Sequence, residues 1–259
     1  MLTLLRTSWQ HHHLLANFIL RDLRVKYRGT ILGYFWSLLE PLSLVLIYWF
    51  LFVVIARRGD DNYPLTVMLG VLCMQFFTGV TNGGAGALTG NAGLIRRVRI
   101  PREIFVVAIV GSTTVVLLLS LIAVIPFMLA AQVGLSLRLG WAVVGLIGLG
   151  LFSTGLGLML ACANAIYRDV GYVLRVTTRL IFYVSPVIYP IDMVPERIRD
   201  LYLLNPLAVF ITQMRCGVMN EPMTVGSLHL AWAALISVAM FAVGARVFSK
   251  WQAEAVKFL

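Results

Sequence analysis

Long apolar runs separated by short charged segments organise this chain. Runs at residues 31–55, 64–86, 104–129, 141–164 and 228–248 each reach or exceed the roughly 20 residues a helix needs to cross a hydrocarbon core. A further run at 180–191 is too short unless it begins near Val173 and is broken at Pro186 and Pro190. We read it as a broken fifth span. Residues 192–226 mix charges with short apolar pieces, interrupted by Pro195, Pro206 and Pro222, and predict short re-entrant helices dipping into the outer leaflet. The pattern therefore predicts an all-α polytopic membrane protein with six transmembrane helices. It forms a single domain over 1–259: a cytoplasmic interface segment (1–30), a membrane domain (31–248) and a cytoplasmic tail (249–259).

Before the first span, Leu15, Phe18, Ile19 and Leu23 recur at helical spacing within residues 14–28 while Arg21, Asp22, Arg24 and Lys26 fill much of the remainder. That is an amphipathic helix suited to the cytoplasmic interface. Glu40, next to Pro41, is an ionisable residue about two turns into the first span, where such groups usually face protein or water. After the second span, Gly83, Gly84, Gly86 and Gly90 allow either a flexible or a closely packed exit. Then Arg96, Arg97, Arg99 and Arg102 crowd into a few residues, which places that segment in the cytoplasm. Residues 91–99 are helix-compatible up to Pro101, as a docking helix for a cytoplasmic partner would be.

Composition agrees with this outline: 60% of the 259 residues are hydrophobic and 12% charged, and the mean hydropathy is +0.89. The formal charge of +10 suggests nucleic acid only until its distribution is considered, because most of the 21 Lys and Arg fall in segments on one side of the six spans. Both termini are then cytoplasmic, and no nucleic-acid partner is expected. The opening residues lack a sustained apolar core, so targeting is expected from the first span.

Catalytic chemistry is absent from the pattern. Cys73, Cys162 and Cys216 have neither disulfide nor metal spacing, and the adjacent His11, His12 and His13 cannot all face one ion from a helix, so no metal site is assigned. Ser153 and His229 are the one tempting nucleophile and base, but at 1.5 Å per residue their depths differ by roughly 15 Å. An ion-coupled carrier would show more mid-membrane charge and paired broken helices. No phosphate-binding G-x-x-x-x-G-K-[ST] loop occurs, so the chain is not expected to be an enzyme, and energy for transport must come from a partner.

Three stretches, RDLRVKYRGTILGYFWSLLEPL (21–42), NAGLIRRVRIPREIF (91–105) and the segment 167–211 with its YRD, SPVIYP and LNP motifs, resemble the membrane subunits of ABC-2 type exporters. The likeness is to the Wzm/TagG class, which exports lipid-linked polysaccharides such as O-antigen, teichoic acid or galactan. The resemblance implies a homodimer of this chain with two copies of a separate ATPase that carries ATP and Mg, no cofactor in this chain, and a location in the cell membrane. It makes residues 14–28 the interface helix and assigns ATPase coupling to Asn91, Leu94, Ile95, Arg96, Arg97 and Arg99. Arg24, Lys26 and Arg28 are candidates for the pyrophosphate of a polyprenyl carrier, or for topology and bulk lipid alone. Tyr34, Trp36, Tyr48, Trp49, Phe76, Phe77, Tyr183 and Tyr189 either stack on sugar rings in a channel or pack against lipid and protein. The alternative is an ABC-2 type multidrug or small-molecule exporter of the same fold.

Overall fold

The computed structural model describes residues 9–57, 62–98, 100–134 and 136–259, and every regular element among them is helical. Arg99 lies outside the described residues. Helix α1 is His12–Tyr27; it buries Phe18, Leu23 and Tyr27 and carries Arg24 and Lys26 in its last turn, where the helix dipole favours cations. The chain then reverses at Gly29, whose φ of +73° is a conformation other residues adopt only with strain.

The first span, Gly33–Ile55, is built from a 3₁₀ turn, α2 (Trp36–Trp49) and a wider π-helical turn. Pro41 lies inside α2 and has no N–H, so it leaves the Ser37 carbonyl without its usual partner. The Ser120 hydroxyl, from a neighbouring span, reaches that carbonyl at 3.0 Å, sharing its one proton with the Val116 carbonyl of its own helix at 2.8 Å. Inside a membrane such a replacement matters, because no water is available to complete the backbone.

The second span is α3 (Tyr63–Gly86), which starts with Pro64 in its first turn and is the most buried of the long helices. A short helix, α4 (Ala92–Arg97), follows. The third span, Glu103–Ala130, consists of α5 (Glu103–Leu121) and α6 (Val124–Ala130). The fourth is α7 (Leu139–Ile166) and the last α11 (Ser227–Lys257). Helix α7 is the hub, packed on α3, on α11 and on the short α10 (Pro206–Val218). Gly155 and Gly244 bring α7 and α11 into backbone contact: a Cβ on Gly244 would overlap the Gly155 carbonyl.

One expectation changes. The segment after the fourth span is helical only over α8 (Asp169–Val184), 16 residues or about 24 Å, short of the roughly 30 Å core. Among the described residues five helices therefore have the length and apolarity to cross, and a sixth is reached only if α9 (Glu196–Tyr202) and α10, bent by 105°, are counted as one span. Helix α11 continues past the apolar run through residues 249–257, with Ala255 buried and Lys257 paired to Glu254 at 2.8 Å. Its helical periodicity continues past the apolar run, which hydropathy alone does not register.

The SPVIYP and LNP motifs form one hydrogen-bonded knot. Asn205 caps α10 by accepting from the Leu207 N–H at 3.1 Å and donates to the Ser185 hydroxyl at 3.0 Å. Arg215, 5% exposed, donates from Nη2 to the Val187 carbonyl (2.7 Å), from Nη1 to Tyr189 (2.9 Å) and from Nε to Thr66 (3.0 Å). The Tyr63 hydroxyl donates to the Ile188 carbonyl at 2.9 Å. The bonds to Val187, Ile188 and Tyr189 satisfy backbone that Pro186 and Pro190 keep out of helix, and the bond to Thr66 ties that stretch to α3.

Candidate functional site

Two regions gather the polar chemistry. The first joins α1 to α4. Arg21 Nη1 donates to Asn91 Oδ1 at 2.8 Å, while its Nε and Nη2 donate to Asp22 Oδ1 at 3.0 and 2.7 Å. Asn91 Nδ2 in turn donates to the Ala87 carbonyl at 2.8 Å, the end of α3. The Arg21 guanidinium also lies 4.6 Å from the Phe18 ring centroid, and Phe18 packs edge-on to Phe105 of α5 at 5.1 Å. Helices α1, α4 and α5 therefore share one anchorage. Near the end of α1, burial raises the Tyr27 phenol above its ordinary value.

Within α4, Arg96 and Arg97 are exposed, whereas Leu94 and Ile95 are half-buried against the chain's own apolar core. The apolar pair that suggested docking is therefore partly used in fixing α4 to its own protein. Arg24 and Arg28 are exposed and line no cavity described here, while Lys26 lines a cavity of about 300 Å³ together with Glu40.

The second region is a groove between α3 and α8. Gln75, Thr78 and Asn82 stand at positions i, i+3 and i+7 of α3, and so share one face. All three line both the 300 Å³ cavity and an adjoining one of about 570 Å³, whose opposite wall carries Arg175, Arg179, Phe182 and Tyr183 of α8. A third cavity, about 600 Å³, shares Asn82 and Arg175 with the second and extends towards Arg168 and Asn164. Gln75 Nε2 and Asn82 Oδ1 have no protein hydrogen-bond partner among the described residues. Unmet buried amide atoms cost about 1–3 kcal/mol each, so this wall is built for water or a polar ligand.

The aromatic candidates separate by position. Tyr48 and Tyr183 line the groove, with the Tyr48 and Phe182 rings stacked at 6.3 Å. Phe76 lines the smaller cavity and Phe77 stacks on Phe152 in the core at 6.3 Å. Trp49 lines an apolar hollow with Pro64 and Phe127, Tyr34 and Trp36 are half-exposed at the start of the first span, and Tyr189 belongs to the knot through a 2.9 Å bond to Tyr202. The Ser153 and His229 pairing has no counterpart: among the described residues Ser153 Oγ is buried without a partner, and His229 faces Asp200 at 3.8 Å.

Sequence reading missed the amide face of α3 and the role of Arg215. Both left a signal: three polar residues at helical spacing in an apolar run, and one arginine within the apolar α10.

A family profile described as ABC-2 type transporter matches residues 14–219, from α1 to the end of α10. The chain belongs to the ABC-2 type transporter family. Like other ABC-2 members it is a membrane protein, and the groove, the knot and the α1–α4 anchorage all lie within the matched residues. It is similar to the O-antigen export system permease protein RfbA of Myxococcus xanthus, 29% identical over 98% of each chain. It also resembles a Klebsiella pneumoniae protein of that name, 27% identical over 89% of this chain and 88% of the relative. The polysialic acid transport protein KpsM of Escherichia coli is 24% identical over 88% of this chain and 90% of the relative.

Proposed function

We propose that this ABC-2 permease is the membrane half of an ATP-driven exporter that moves a polyprenyl-pyrophosphate-linked polysaccharide out of the cytoplasm. The observation that carries the reading is the likeness to O-antigen export permeases along nearly the whole of both chains. The groove supports it: amides, arginines and tyrosines suit a hydroxyl-rich polymer with an anionic end better than a hydrophobic drug. Two copies of the chain act with two copies of a separate ATPase, which binds ATP and Mg; this chain carries out no catalysis. The protein lies in the cell inner membrane with both termini cytoplasmic.

ATP-driven closure of the ATPase subunits presses on α4, whose exposed Arg96 and Arg97 meet the partner. Because Arg21 links α1 to Asn91 at the head of α4, the push reaches α1 and, through the turn at Gly29, the first span. That span and α8 leave much of their surface uncovered in the single chain, as expected of elements that meet a second copy and part to admit the polymer.

The deciding experiment measures lipid-linked glycans in cells depleted of the protein, with inner-leaflet and outer-leaflet pools separated. Accumulation of a polyprenyl-linked polymer inside, with loss of its surface form, is the expected result. An unchanged pool with new sensitivity to hydrophobic toxins overturns it in favour of small-molecule export.

A further inference from the structure

The YRD motif opens a cavity that no part of the coupling argument uses. Arg168, its central residue at the N-cap of α8, and Arg175, two turns into that helix, line the same space of about 600 Å³, within the range of small-molecule sites. Among the described residues neither guanidinium makes an ion pair. Arg175 rests 4.5 Å from the Tyr172 ring centroid, a contact that orients the guanidinium without neutralising it. Thr89 and Asn164 supply neutral polar groups, and Asn164 is held by its 2.9 Å bond to the Ala85 carbonyl. Asp169 does not line the space.

Two guanidinium groups lining one concave space, with no ion pair among the described residues, suit an oxyanion with several acceptor oxygens, each fork taking two of them. A monovalent headgroup would leave one fork unused. Arg175 also lines the adjoining cavity with Tyr48 and Tyr183, so an anion held here sits at the mouth of the groove with its attached chain free to enter.

We propose that the cavity between Arg168 and Arg175 is a diphosphate-binding site that holds the anionic end of a prenyl-diphosphate-linked substrate; this rests on the export reading for the identity of the substrate. The test uses the purified full chain in phosphatidylcholine nanodiscs, with geranylgeranyl diphosphate as the probe and geranylgeranyl monophosphate as its comparison. The diphosphate binds at least tenfold more tightly than the monophosphate, and the Arg168→Gln/Arg175→Gln pair loses that tenfold. Arg24→Gln/Arg28→Gln keeps it. Arg168→Lys/Arg175→Lys retains the charges, guards against misfolding of the Gln pair, and keeps part of the preference. Equal binding by the Gln pair and the parent overturns the site. So does displacement of the diphosphate by an equal concentration of phosphatidylglycerol, which assigns the pocket to bulk anionic lipid. Binding on the isolated chain is independent of transport: an intact diphosphate preference beside an unchanged glycan pool in depleted cells refutes export and leaves the site standing.

Discussion

Arg21 and Asn91, seventy positions apart, are joined by a 2.8 Å hydrogen bond that ties the amphipathic α1 to the head of α4. A push on either helix is therefore felt by the other. Arg21→Ala and Asn91→Ala are each expected to slow export while leaving ATP hydrolysis by the assembled complex largely intact, and the double variant is expected to be no slower than the worse single one. On stability the link contributes about 0.5–1 kcal/mol, because Arg21 is partly exposed. A double-mutant cycle on unfolding in detergent reads that coupling, and strict additivity would remove the link from the mechanism.

Charge reversal on α4 separates docking from folding. Arg96 and Arg97 are exposed, so Arg96→Glu/Arg97→Glu leaves the packing of α4 untouched while opposing a partner surface that accepts cations. The expected result is a loss of ATPase co-purification of at least tenfold with normal insertion. Leu94→Asp is a poorer probe, since Leu94 also packs on the chain's own core. Full co-purification of the Glu pair would place the ATPase contact elsewhere.

Arg215 holds three carbonyls from two segments. Arg215→Met keeps much of the volume but strands those carbonyls, at about 1–3 kcal/mol for each one left without a partner. Thermal unfolding of the variant is expected to shift down by several degrees. Arg215→Lys, with a single ammonium in place of a planar fork, is expected to recover only part of the loss. An unchanged unfolding temperature in Arg215→Met would mean that the knot contributes little.

Ser120 completes backbone that Pro41 leaves open. Ser120→Ala removes the donor to the Ser37 carbonyl and is expected to cost about 1 kcal/mol. Pro41→Ala restores an N–H at position 41, so Ser120→Ala should cost distinctly less in that background. Equal losses in both backgrounds would show that the serine matters for another reason.

Much of the fold could be read from the residues in order. Residues 14–28 predicted α1 within two residues at each end, and the starts of the five long spans lie within two residues of expectation. The broken segment was visible in Pro186 and Pro190, although α8 lies wholly before them and begins earlier than the apolar run implied. Its Arg175 and Arg179 depressed the apparent hydropathy of a helix whose polar side lines the groove. The site was less legible. Eight aromatics were candidates for the channel wall, and only Tyr48 and Tyr183 line the groove between α3 and α8. Phe77 is in the core against Phe152.

The sequence by itself determined that this is a helical membrane protein, where its long helices begin, and where arginines cluster between the spans. Those properties follow from transfer free energy and charge, which sum along the chain with little regard to neighbours. Only the tertiary structure decided which face of α3 opens on polar space, that Arg215 serves three carbonyls, and that Arg168 and Arg175 share a cavity. An apolar residue reads alike whether it meets lipid or protein, and a helix apolar on most sides carries no strong periodicity to tell the two apart. Facing is settled only when helices pack and every buried polar group must find a partner.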